Sequence, residues 1–151
     1  LTNHLQAHVK GSVLRAYNAT EKTWLIQMPS DRFETDLEYS FIDGKKWKQS
    51  SVKLGIQYVT EQRHVPPTGN IKVTDAAGNT TMQSDYMAPP PAYTLFNAEA
   101  ATALDIRKRR IELVLSATNL FDVSYRDYMN AFRYFSLDRG RNIALKVKLP
   151  L

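Results

Sequence analysis

Asn142-Ile143-Ala144-Leu145-Lys146-Val147-Lys148-Leu149 alternates large apolar residues with small or polar ones, and Leu151 extends the apolar row. Successive side chains of a β-strand point to opposite faces, so this period places Ile143, Leu145, Val147, Leu149 and Leu151 on one face and Asn142, Ala144, Lys146 and Lys148 on the other. The same period recurs upstream. Ile111, Leu113, Leu115 and Ala117 alternate with Glu112, Val114, Ser116 and Thr118, and Val52, Leu54, Ile56 and Tyr58 alternate with Lys53, Gly55 and Gln57. Phe33, Thr35, Leu37, Tyr39 and Phe41 alternate with Glu34, Asp36, Glu38 and Ser40, and Leu5, Ala7, Val9, Gly11 and Val13 with Gln6, His8, Lys10, Ser12 and Leu14. Between Tyr93 and Leu104 the pattern thins, with Phe96, Ala98, Ala100 and Leu104 set against Asn97, Glu99 and Ala101; the alanines there also suit a helix, and the neighbouring strands decide for strand. The expected fold class is all-β: an antiparallel up-and-down meander of about six strands.

The connections sort by length. Asp43-Gly44-Lys45-Lys46 with Trp47 to Ser50 is one short link and Asp105 to Arg109 another, whereas Tyr17 to Asp31, Thr60 to Ala92 and Val123 to Arg141 are long. In a meander this puts short turns at one end of the sheet and long loops at the other, the arrangement of outer-membrane barrels. The longest loop holds Pro66-Pro67, Gly69, Asp75-Ala76-Ala77-Gly78-Asn79 and Pro89-Pro90-Pro91, which are turn formers and rigid extended pieces, so it reads as a surface excursion. Asp75 with Asn79 reads as a plain turn, because the alternate-oxygen spacing and terminal glutamate of a calcium loop are missing.

Composition excludes several classes. No run approaches the ~20 apolar residues of a membrane-spanning helix, and Leu1-Thr2-Asn3-His4 reads as neither a basic leader nor an apolar signal core. A barrel strand needs only about 9–11 tilted residues of alternating polarity. The chain has no cysteine, which removes disulfides, thiol catalysis and thiolate-bound metal. Its formal charge of +5 is spread among carboxylates, and Arg107-Lys108-Arg109-Arg110 reads as a solvated turn, not a nucleic-acid stripe. His4, His8 and His64 form no ligand set by spacing, and no Ser/His/Asp arrangement or phosphate loop emerges, so no enzyme, metal site or cofactor is expected.

The last third carries a resemblance. Asn119-Leu120-Phe121-Asp122, Tyr125-Arg126-Asp127-Tyr128, Phe132-Arg133-Tyr134-Phe135, Gly140-Arg141-Asn142-Ile143 and the alternating strand after them resemble, in order and spacing, the C-terminus of TonB-dependent outer-membrane receptors. Pro91-Ala92-Tyr93-Thr94-Leu95-Phe96-Asn97 looks like that family's third-from-last strand, and Ser30-Asp31-Arg32-Phe33-Glu34 like the start of an earlier descending one. Leu151 departs from the family, which ends in an aromatic residue read by the assembly machinery.

The resemblance implies that residues 1–151 are the C-terminal segment of a transmembrane β-barrel of about 22 strands, in the bacterial outer membrane. It implies active uptake of a ferric siderophore, haem, cobalamin or metal complex, energised through TonB. The implied partners are the rest of the barrel, its plug domain, the TonB complex reached through the N-terminal region, outer-membrane lipid and the metal-chelate substrate. The large apolar rows would meet lipid. Lys10, Glu34, Asp36, Glu38, Lys53, Glu99, Glu112, Lys146 and Lys148 would line a wet lumen, chiefly as cross-strand ion pairs. Tyr17, Trp24, Tyr39, Phe41, Trp47, Tyr58, Tyr93 and Phe121 would form interfacial girdles. Tyr125, Arg126, Tyr128, Phe132, Arg133 and Tyr134, in a loop placed outside the cell, are the candidate substrate contacts; their competing role is to lock that loop onto the rim. The alternative function is a soluble β-barrel or sandwich that binds a small apolar ligand inside, which needs the apolar rows to point inward.

Overall fold

The computed structural model describes residues 4–66, 71–83, 88–106 and 109–149. Ten strands lie among them: β1 (Leu5–Ser12), β2 (Tyr17–Asn18), β3 (Thr23–Trp24), β4 (Arg32–Ser40), β5 (Trp47–Val59), β6 (Ile71–Thr74), β7 (Thr80–Gln83), β8 (Tyr93–Ile106), β9 (Arg109–Thr118) and β10 (Asn142–Lys148). The six expected from periodicity form one sheet in the order β1-β4-β5-β8-β9-β10, with every neighbouring pair antiparallel. Among the described residues there is no α-helix, and the single helical element is a 3₁₀ turn, Ala131–Tyr134. The alanine-rich run of β8 is strand because it is flanked on both sides: Ala98 and Ala100 pair with Leu54 and Val52 of β5 and with Ala117 and Leu115 of β9. Pairing from two neighbours overrides the local helix propensity.

The long connections carry more structure than their composition suggests. β2 and β3 form a hairpin within the first and β6 and β7 another within the second. The Asp75–Asn79 stretch is the turn of the latter. Its carboxylate accepts from the backbone N–H of Ala77 and of Asn79, and Gly78 supplies the left-handed backbone at φ +85°. The short turns are shorter than expected. Asp105 pairs with Arg110 and Ile106 with Arg109 as strand residues, so the link reduces to positions 107 and 108, which lie outside the described residues. Trp47 to Ser50 likewise belong to β5. Trp47 pairs with Leu104 but Ser51 with Ala101, so β5 holds one extra residue, and Gln49 at φ +48° absorbs it as a bulge.

The register aligns the faces across the whole sheet. Leu5, Tyr39, Val52, Ala100, Leu115 and Leu145 follow one another from strand to strand, an unbroken apolar band. Opposite it stand the charged rows, with Lys10 facing Glu34, Lys53 3.3 Å from Glu99 and Lys148 3.1 Å from Glu112. The coverage of the two faces inverts the rule for a water-soluble sheet. On β4 every apolar residue from Phe33 to Tyr39 is exposed, while Arg32, Glu34, Asp36 and Glu38 are half-covered; on β5, Leu54 is 58% exposed. The small buried core lies on the polar face at the long-connection end, where Val59, Tyr93 and Leu95 pack with Val123 and Tyr125.

Tyr93 therefore does not belong to an outward girdle. It begins β8 on the polar face, buried, with its ring 4.4 Å from that of Tyr125. The register position on the apolar face at this level belongs to Thr94, and Phe96 on that face packs on Phe121 at 5.0 Å. Tyr17 and Trp24 pair with each other on the β2–β3 hairpin, away from the six-stranded sheet, and Trp24 meets His64 at 4.6 Å. β1 and β10 are the edges of the sheet, which is open among the described residues. Leu151 lies outside them.

Candidate functional site

All three long connections emerge at the end of the sheet defined by Ser12, Arg32, Val59, Tyr93, Thr118 and Asn142. The segment from Asn119 to Arg141 folds back there over the polar face, and two of its short motifs hold each other. Asn119, buried and at φ +50°, accepts from the Val123 N–H at 2.8 Å through Oδ1 and donates through Nδ2 to the carbonyls of Val123 and Arg139. Asp122, at φ +56°, accepts the Arg141 N–H at 2.7 Å. The Asn-Leu-Phe-Asp and Gly-Arg-Asn elements are thus the two halves of one clamp. Gly140 is required by it, because a Cβ there would stand 2.7 Å from the Asp122 carboxylate. Gly140→Ala should force Asp122 off the Arg141 N–H and cost about 1 kcal/mol, the value of one such bond, read as a lowered unfolding midpoint.

Asp127 ties the same segment to the sheet. One carboxylate oxygen accepts from Arg32 of β4 at 2.6 Å and from the Tyr93 hydroxyl of β8 at 2.7 Å, while the other caps the Met129 N–H. Asp138 accepts from the Asp127 N–H and the Asn130 amide, closing the loop upon itself. Asn130 caps the 3₁₀ turn by accepting from the Phe132 N–H. Beside Asp127 and Asp138, burial first and then their negative charge push the Tyr125 phenol up, so it remains a hydrogen-bond donor at neutral pH. At the base of the first long connection Arg15 and Asp31 form a two-pronged pair, and that hydrogen bonding holds the Asp31 carboxyl below its ordinary range.

The six candidate contacts separate into three environments. Tyr128 and Arg133 are inside the loop. The Arg133 guanidinium lies between the rings of Tyr128 and Tyr134, 4.6 and 4.3 Å from their centres, and donates to the Tyr128 carbonyl and the Tyr134 hydroxyl. Tyr125 and Tyr134 are half-buried, with Tyr125 standing between two clefts. Arg126 and Phe132 are exposed, Phe132 at 70%. The larger cleft, about 610 Å³, runs between the loop and the polar face and is lined by Ser12, Arg32, Gln57, Tyr93, Asp127 and Asp138 among others. The smaller, about 310 Å³, lies between the Ala88–Pro91 stretch and the loop, and is lined by Tyr125, Arg126, Arg133, Tyr134 and Leu137.

Asn119, Asp122, Asp127 and Asp138 shape this end of the sheet but were not among the candidates. The left-handed positions at Asn119 and Asp122 carry a residue-type signal, since Asn and Asp tolerate that backbone. Among the described residues no three His, Asp or Glu side chains converge as a metal-holding group. What the fold and the site define together is an all-β chain with a large exposed apolar face and a clefted, loop-covered polar end. No family model, no curated protein and no solved structure matches the chain.

Proposed function

We propose that the chain is the C-terminal part of the barrel of a TonB-dependent outer-membrane transporter, importing a bulky metal chelate or similar scarce nutrient. The observation that carries this is the inverted coverage of the sheet. The apolar rows of β4, β5 and β10 are open, with Leu145 65% exposed, and those of β8 and β9 are largely half-covered, while the loop folds down over the charged face. An uninterrupted apolar surface of this extent needs an apolar neighbour. Lipid suits it, because antiparallel strands satisfy their backbone polar groups between themselves and leave side chains to meet the bilayer. The two open edges then pair with the remaining strands, the charged face lines the lumen around a plug, and the loop end with its clefts faces the outside, where substrate is captured. The short turns between β4 and β5 and between β8 and β9 fall in the periplasm.

The experiment is single-cysteine labelling of the intact protein in its membrane with a charged maleimide. Lys146→Cys is expected to react and Leu145→Cys to be protected until detergent is added. The reverse outcome, with position 145 reactive and 146 protected, would replace transport with the soluble barrel that encloses an apolar ligand.

A further inference from the structure

We propose that the smaller cleft, between Pro90-Pro91 and the loop of Tyr125 to Leu137, is a subsite for an oxyanion borne on an aromatic ring, of the arylcarboxylate class. Arg133 is 7% exposed, and among the described residues no carboxylate lies within ion-pair distance of it. Its hydrogen-bond partners among the described residues are carbonyls and a phenol, which carry no charge, and its Nε has none among them. Arg15 and Arg32, both less buried, are each matched to an aspartate at 2.5 and 2.6 Å. A buried cation without a counter-charge is costly, so an anion entering the adjoining cleft is favoured by the field the guanidinium already sets up.

Arg126 lines the same cleft from an exposed position, and among the described residues none of the lining is acidic. The two arginines divide the work. The Nη atoms of Arg133 are occupied within the loop, so it contributes charge; Arg126, with no hydrogen bond to the described residues, contributes the direct donors. Apart from Ser124, the remaining walls are Ala88, Pro90, Pro91, Leu137 and the rings of Tyr125 and Tyr134, which offer apolar and aromatic surface to a ring. A volume near 310 Å³ is at the small end for ligand sites of about 300–1,000 Å³, so the cleft takes one arm of a larger ligand or a single-ring acid. The larger cleft is different in kind, because Asp127 and Asp138 line it. The proposal rests on the transport reading only for the side to which the cleft opens.

The test is ¹⁹F line-broadening of 4-fluorobenzoate titrated into the intact purified protein, with 4-fluorobenzamide as the uncharged control and inorganic phosphate as a competitor without a ring. Saturable binding of the benzoate and none of the benzamide is expected, with phosphate competing at least about tenfold more weakly. Arg126→Gln should weaken the benzoate about tenfold and Arg126→Lys much less. Arg126 makes no hydrogen bond to the described residues, so this variant reports on binding even where Arg133→Gln disturbs the loop. Equal binding of benzoate and benzamide, equal competition by phosphate, or an unchanged titration in Arg126→Gln would overturn the proposal. These readouts do not depend on which face meets lipid, so cysteine labelling can fail while the cleft stands, and the reverse.

Discussion

Leu145→Arg should destabilise the assembled protein in a bilayer by about 2–4 kcal/mol, the cost of a basic side chain on the lipid face near the midplane of a barrel. Leu145 is the right position because it lies midway along β10 and belongs to the band that continues through Leu115, Ala100, Val52, Tyr39 and Leu5. Leu145 is 65% exposed, so little packing is lost when leucine is replaced; the penalty comes chiefly from solvating the guanidinium. The measurement is reversible urea unfolding in vesicles. Were the band to face water, the same change would be a surface substitution worth within about 0.5 kcal/mol, and solubility would rise. Lys146→Arg, one register position away on the other face, is the matched control and should be neutral. A penalty at 146 that equals or exceeds the one at 145 would sink the lipid assignment.

The sheet was legible in the sequence because its faces meet different surroundings, and a difference of surroundings is what period-two patterning records. β4 carries a row that is uniformly polar and β10 one that is uniformly large, so both can be read residue by residue, whereas β8 mixes alanine, threonine and large residues in one row and is legible chiefly through its neighbours. Where the chain departs from pure alternation the reading failed. The bulge at Gln49 moved Trp47 to Ser50 from turn to strand, since an inserted residue shifts the phase without leaving a compositional mark. The β6–β7 hairpin was hidden inside a loop, because a pair of four-residue strands is too short for a period to register. Tyr93 was read as an interfacial aromatic from its place at a strand end. Its parity with Asn97 and Glu99 sets it on the polar face, and the register agrees, placing it opposite Val59 in the row that runs through Gln57 and Lys53.

The site was legible in part, for a related reason. Tyr125, Arg126, Tyr128, Phe132, Arg133 and Tyr134 stand out as an aromatic and basic cluster within one short stretch, and the fold keeps them around one loop. What holds that loop is non-local. Asp127 meets Arg32 across 95 positions of sequence and Tyr93 across 34, and no spacing rule links residues so far apart. The sequence also could not tell which arginine is spoken for. Arg126 and Arg133 look alike in the chain, and only burial separates the one stacked between two tyrosines from the one left in the open.

Asn119→Ala should cost about 3 kcal/mol and should act on the loop rather than on the sheet. Asn119 is 3% exposed, and its amide is bonded at once to the start and the end of the folded-back segment, through Val123 and Arg139. Alanine removes all of these bonds and leaves the Val123 N–H and carbonyl without them in a place water reaches poorly; an unsatisfied buried group costs about 1–3 kcal/mol. It also puts a residue with no polar side chain at φ +50°, adding roughly 1–2 kcal/mol of backbone strain that asparagine bears more readily. Three substitutions separate the contributions. Asn119→Gly relieves the backbone strain but restores no hydrogen bond, so it should recover about 1 kcal/mol relative to alanine. Asn119→Asp keeps the acceptor for the Val123 N–H and loses the donors to Val123 and Arg139, so it should fall between alanine and the native residue. Hydrogen exchange is the check: the Val123, Asp127 and Arg141 amides should lose protection about a hundredfold in Asn119→Ala, as about 2.7 kcal/mol would give, while amides of β4 and β5 stay as they were. If β4 and β5 exchange faster by the same factor, Asn119 supports the whole sheet; if the loop amides do not change, the clamp between Asn119, Asp122 and Arg141 is not what holds the segment over the polar face.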